Sequence, residues 1–103
     1  DGKTPLIIAV KNENENIIRC LVEHGADINK DNDYNGWTPF LIAIANENED
    51  IVNYLLEHGA DVNKSDKVGR TPLCHACEKG NETIFNGLIK HGADINMKRN
   101  GTT

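Results

Sequence analysis

The 103-residue sequence has no long apolar run. Its longest, Phe40 to Ala45, falls far short of the ~20 residues a membrane-spanning helix needs, so insertion by such a helix is excluded. Basic charge is also scarce: 11 Lys and Arg stand against 16 Asp and Glu, for a formal charge of −5. Binding to duplex nucleic acid needs a net positive face that displaces counterions, so nucleic acid is not an expected partner. Aromatic residues make up only 5%, with a single Trp, so the core must be largely aliphatic. Three cysteines cannot all pair within the chain, and no basic segment followed by an apolar stretch opens it. Reduced thiols in a cytoplasmic, or alternatively nuclear, setting are therefore expected. No Gly-rich phosphate loop and no nucleophile–base–acid set is present, so neither catalysis nor a cofactor is expected within the chain.

What the sequence does have is repetition. Thr4-Pro5-Leu6 returns as Thr38-Pro39-Phe40 and Thr71-Pro72-Leu73, at spacings of 34 and 33 residues. His24-Gly25-Ala26-Asp27-Ile28-Asn29 returns at His58 to Asn63 and at His91 to Asn96 with the same spacings. Two motifs keeping one offset through three copies indicate stacked supersecondary units, read as 2–35, 36–68 and 69–100, with 101–103 opening a fourth. Each unit reads as two short helices and an extended loop. A Thr N-cap with Pro at the first helical position starts the first helix. Asn14, Asn48 and Asn81 cap the second, whose apolar stripe is Ile17-Ile18 with Leu21-Val22 and its counterparts. Gly25, Gly59 and Gly92 end it. No unit hides its own stripe, and the expected fold is an all-α repeat solenoid with hairpin-like finger loops.

The Gly-x-Thr-Pro-Leu and His-Gly-Ala-Asp-Ile/Val-Asn motifs resemble the ankyrin repeat family over essentially the whole chain. That resemblance implies an L-shaped stack of helix pairs whose fingers and inner helices recognise other proteins. It also implies that Asn29, Asn63 and Asn96, each with a Leu eight residues upstream, stand where the family accepts asparaginyl hydroxylation. The chain departs from the family at Ile7, Leu41 and Cys74, where a His is usual. Asn32 reads as one residue inserted in the first finger, the third finger as one residue short, and Asp33 and Asp66 as the finger aspartates.

Candidate metal ligands reduce to structural residues. His24, His58 and His91 recur at one repeat position and so sit about 10 Å apart, too far to share an ion bound at ~2 Å. Cys74-x-x-Cys77 has no second pair, and Cys77 takes the core position of Val10 and Ile44. The fingers carry the functional expectation, because aromatic residues on loops make good anchors. Asp33, Tyr34, Asn35, Trp37, Lys67, Val68 and Arg70 are the expected finger contacts. Ile8, Asn12, Ile42, Asn46, His75 and Lys79 are those of the inner helices. The basic later fingers, with Lys64, Lys67, Arg70, Lys98 and Arg99, suit a partner protein or peptide carrying an acidic segment.

Two other readings compete with recognition: a spacer within a longer array, and a targeting module joined to a catalytic domain elsewhere. The opening at Asp1 and the apolar outer residues of both end units suggest a piece of a longer array, with end-to-end self-stacking as a consequence.

Overall fold

The computed structural model describes residues 2–96. They form six helices: α1 (Pro5–Lys11), α2 (Glu15–Glu23), α3 (Pro39–Ala45), α4 (Glu49–Glu57), α5 (Pro72–Lys79) and α6 (Glu82–Lys90). No strand occurs among the described residues. The expected fourth unit and the shortened third finger fall largely or wholly on residues 97–103, outside the described part.

Every helix starts as its sequence dictates. The hydroxyls of Thr4, Thr38 and Thr71 accept from the N–H of Ile7, Leu41 and Cys74, with Pro at the first helical position. The amide oxygens of Asn14, Asn48 and Asn81 accept from Ile17, Ile51 and Ile84. The helices are 7 to 9 residues long. Isolated helices shorter than ~12–15 residues are marginal in water, so caps worth ~1 kcal/mol each do not suffice and the stack must supply the rest.

The stack has two layers. Helices α1, α3 and α5 pack side by side, and α4 packs on α6 behind them. One continuous aliphatic core runs through Leu6, Val10, Ile18, Phe40, Ile44, Ile51, Leu55, Leu73, Ile84 and Leu88. Polar side chains set the register between repeats. The Nδ2 of Asn48 donates to Glu13 at 2.9 Å, and that of Asn81 to Glu47 at 3.3 Å. At the far end of the second helices, Asn29 Oδ1 accepts from the Asp61 N–H at 2.8 Å and its Nδ2 donates to the Gly59 carbonyl at 3.1 Å. Asn63 repeats the first of these contacts with Asp94 at 3.0 Å.

Two expectations are corrected. Cys77 is exposed, not core, because the face that covers Val10 and Ile44 in the earlier repeats is open in the third. The recurring histidines, read from the sequence as structural residues, have that role: Nδ1 of His24, His58 and His91 donates to the carbonyls of Cys20, Tyr54 and Gly87 at 2.7, 2.8 and 3.0 Å. The second correction concerns the first finger. Asn32 is not the insertion but the counterpart of Asp66, since its N–H pairs with the Trp37 carbonyl as that of Asp66 pairs with Arg70. The extra residue lies at the tip, where Asp33 takes a left-handed φ of 64°.

Candidate functional site

Each of the two described fingers is folded around one side-chain oxygen that collects backbone N–H groups. In the first, Asn32 Oδ1 accepts from Tyr34 and Asn35, both at 3.1 Å, and Asn35 Oδ1 accepts from Trp37 at 3.1 Å. In the second, Asp66 Oδ1 accepts from Val68 at 3.0 Å and Arg70 at 2.9 Å. The fingers are tied together where the Lys67 N–H donates to the Asn35 carbonyl at 2.9 Å and Lys67 Nζ donates to the Asp33 carbonyl. Their acids are matched from within, Asp33 by Lys30 at 3.3 Å and Asp31 by Lys64 at 3.7 Å. The Asp33 N–H bonded to Asp31, helped by the charges of Lys64, Lys30 and Lys67, outweighs burial and holds the Asp31 carboxyl below its usual range.

The expected contact residues separate into distinct places. Tyr34 is 81% exposed, and Val68 and Lys67 are exposed beside it, forming the tips. Asn35, Trp37, Ile42 and Asn46 converge on a groove of ≈ 280 Å³ between the first and second repeats. Ile8 and Asn12 do not reach it; they line the outer face of the first repeat together with Ile17 and Leu21. Lys79 is exposed on α5 and also lies outside the groove.

His75 is corrected from contact residue to core, with 3% of its surface exposed. It occupies the repeat position of Ile8 and Ile42, but here the neighbouring repeat covers it. Its Nε2 bonds Asp66 Oδ2 at 3.2 Å, and Trp37 meets its ring edge-on at 4.8 Å between centroids. Arg70 closes the cluster: Nε pairs with Asp66 at 3.2 Å, an Nη with Glu78 at 3.5 Å, and the guanidinium lies 5.9 Å from the Trp37 ring centre. Arg70 is thus engaged internally rather than held out for a partner. Burial pushes the Asp66 carboxyl up, but the N–H of Arg70, the hydrogen bond of His75 and the Arg70 charge bring it down overall. Burial lowers His75, against the raising effect of Asp66.

Five lining residues of the groove were not anticipated: Lys3, Ile7, Lys11, Asn32 and Ala45. The repeat itself held the signal. Lys3 stands at the position of Trp37, and Lys11 at that of Ala45, 34 residues on in each case. The floor is apolar, from Ile7, Trp37, Ile42 and Ala45, and among the described residues the polar lining is lysine and asparagine. At ≈ 280 Å³ the groove falls just under the ~300 Å³ at which pockets for drug-sized ligands begin. It suits a side chain and its flanks.

Asn29 and Asn63 are half-buried, with side-chain oxygens committed to the next repeat, whereas Asn96 is exposed. Cys74 takes a hydrogen bond from the Thr71 hydroxyl at 3.3 Å.

A family model described as ankyrin repeats (3 copies) matches residues 1–66 and 32–99. No curated protein sequence matches the chain. Among solved structures, the ankyrin repeat domain of Bcl-3, described as a unique member of the IkappaB protein family, superposes with a TM-score of 0.91 at 34% identity. The match covers 96% of this chain and 43% of that one, so the chain spans less than half the length of this relative. Repeated motifs, stacked helix pairs and family model agree: this chain belongs to the ankyrin repeat family.

Proposed function

We propose that this chain is a non-catalytic protein-recognition module whose binding surface is the groove between the first and second repeats, bordered by the finger tips. Ankyrin repeats are generally protein–protein interaction modules, and that general role extends to this chain with its family. The observation that carries the location is Trp37, the only tryptophan, set in the groove floor beside Ile42 with Asn35 and Asn46 around it. A large aromatic in a concave, partly apolar site ringed by polar groups has the anatomy of an interaction hot spot. Tyr34 and Val68 form the flank a longer partner reaches next.

Selection of a random peptide library on the immobilised chain tests the reading. Ligands should be recovered, and Asn46→Arg, which fills the groove without touching the core, should lose them. Recovery of none, or ligands indifferent to Asn46→Arg, contradicts it. The three unpaired thiols support a reducing compartment, cytoplasmic or nuclear. If the host carries an asparaginyl hydroxylase, Asn96 is the acceptor it reaches with least disruption, ahead of Asn29 and Asn63. The open outer faces of the first and third repeats support end-to-end stacking of a second copy.

A further inference from the structure

The third repeat carries a pair of thiols that lies apart from the groove and that recognition leaves unused. Cys74 and Cys77 are three residues apart on α5, so they share one face of the helix. Their counterparts are Ile7 and Val10 in the first repeat and Leu41 and Ile44 in the second, apolar pairs that are buried. The third repeat holds sulfur at both positions, and both are open. Cys77 is exposed and Cys74 half-buried, and together they line a groove of ≈ 300 Å³ with Thr71, Leu73, Glu78 and Ile95. Burial of Cys77, the ground for reading this Cys-x-x-Cys as structural, is absent.

Two sulfurs so placed can be joined directly or through an atom between them, and the helix tells these apart. A disulfide needs its Cβ atoms about 3.5–4.5 Å apart. Side chains three residues apart on a helix hold theirs at ~5–6 Å, too wide unless the turn unwinds. An ion between the sulfurs, with two bonds of the ~2.3 Å typical of metal–thiolate contacts, spans the gap with the turn intact. Local structure favours the same outcome. The Thr71 hydroxyl donates to Cys74 Sγ at 3.3 Å and steadies it. The opening turn of α5 also favours the negative charge that thiolate ligands bring.

The ligand count selects the ion. Among the described residues no third His, Cys, Asp or Glu joins this pair in a group able to hold a metal ion. Zinc takes four protein ligands in structural sites and three in catalytic ones, so two thiols do not make a zinc site. Soft thiolates select copper in its monovalent state, an ion for which two sulfurs complete a linear shell. We propose that Cys74 and Cys77 form a two-coordinate site for monovalent copper at the open face of the third repeat. Each thiol gives its proton to solvent as its sulfur bonds the metal, so one Cu(I) enters, two protons leave, and no oxidation state changes.

The test is titration of the reduced, anaerobic chain with Cu(I) held by the coloured chelator bicinchoninate, whose absorbance falls as the protein takes the metal. One Cu(I) per chain should be withdrawn. Cys74→Leu and Cys77→Val restore residues that Leu41 and Val10 supply in the earlier repeats. Each should weaken binding more than ~100-fold, beyond the loss seen when only a supporting residue of a metal site is removed. Cys20→Ser removes the remaining thiol, on α2, and should leave affinity unchanged. X-ray absorption at the copper edge should report two sulfur neighbours, and far-UV circular dichroism should keep the helical signal in every variant and on loading. If an apolar variant loses that signal, Cys74→Ser or Cys77→Ser takes its place. Uptake that survives Cys77→Val, uptake that needs Cys20, a shell of three or more sulfurs, or no uptake at all overturns the site. The recognition role stands in each of these cases, since none of them involves the groove of Trp37.

Discussion

At the scale of single residues, the cluster around Asp66 shows how a departure from the family pattern is absorbed. The histidine usual after Thr-Pro-Leu is absent, and Cys74 stands in its place. His75, one position later, points inward to Asp66 and Trp37 and joins the second finger to α5. This arrangement has a pH signature. His75 is depressed from 6.5, chiefly by burial, so the folded chain holds fewer protons than the unfolded one over the window below 6.5. Its contribution to stability is complete above 6.5 and lost as pH falls through the lower folded value. Asp66, depressed from 3.8, adds a further loss only below 3.8. Denaturant midpoints should therefore decline as pH is taken from neutrality to mildly acidic values, and His75→Gln should flatten that decline. Equal slopes for the two proteins would show that another group is responsible.

At the scale of elements, the helices could be read almost directly. Thr-Pro and Asn caps, helical spacing of apolar residues and terminal glycines are local signals, and all six helices begin where they indicate. The fingers were less legible, because their register depends on which Asx oxygen gathers the backbone N–H groups. Asn32 and Asp33 are chemically alike in that respect, and only the pairing of Asn32 with Trp37 separates them. Burial at the ends was hidden too: Val10, Ile44 and Cys77 share one repeat position, yet only the last is exposed, since burial is supplied by a neighbouring repeat. The finger contacts make a contrast that can be measured. Gly36 has φ +77°, and a Cβ there would meet the Lys67 backbone nitrogen at 2.7 Å. Gly59 has φ +98° with nothing within 4 Å. Gly59→Ala should cost the ~1–2 kcal/mol of a left-handed non-glycine residue, and Gly36→Ala distinctly more, because it also drives the fingers apart. Chemical denaturation of both variants decides this; equal losses would mean that the fingers do not press on one another.

At the scale of the whole molecule, the two ends of the stack leave uncovered the positions that the middle repeat buries, which is the ground for the head-to-tail stacking proposed above. Ile17 is 46% exposed in the first repeat, while its counterparts Ile51 and Ile84 are each 2% exposed. At the other end Cys77, Phe85 and Ile89 lack the cover that Ile44, Val52 and Leu56 receive. Fully burying an isoleucine is worth roughly 1.5–3 kcal/mol, so several half-covered residues at each end make a sizeable drive towards head-to-tail contact. Sedimentation velocity should show concentration-dependent association that Ile17→Lys suppresses. A single monomeric species at every concentration would contradict it.

Recognition in the groove between the first two repeats, as proposed above, can be followed without any label through Trp37, because the chain has no other tryptophan. Its fluorescence, followed while a library-selected peptide is added, is the most direct measurement. The emission should shift and saturate with the same midpoint as binding followed independently, as the ring passes from partial solvent exposure to cover. A peptide that binds to saturation with the Trp37 emission unchanged would place recognition elsewhere on the molecule.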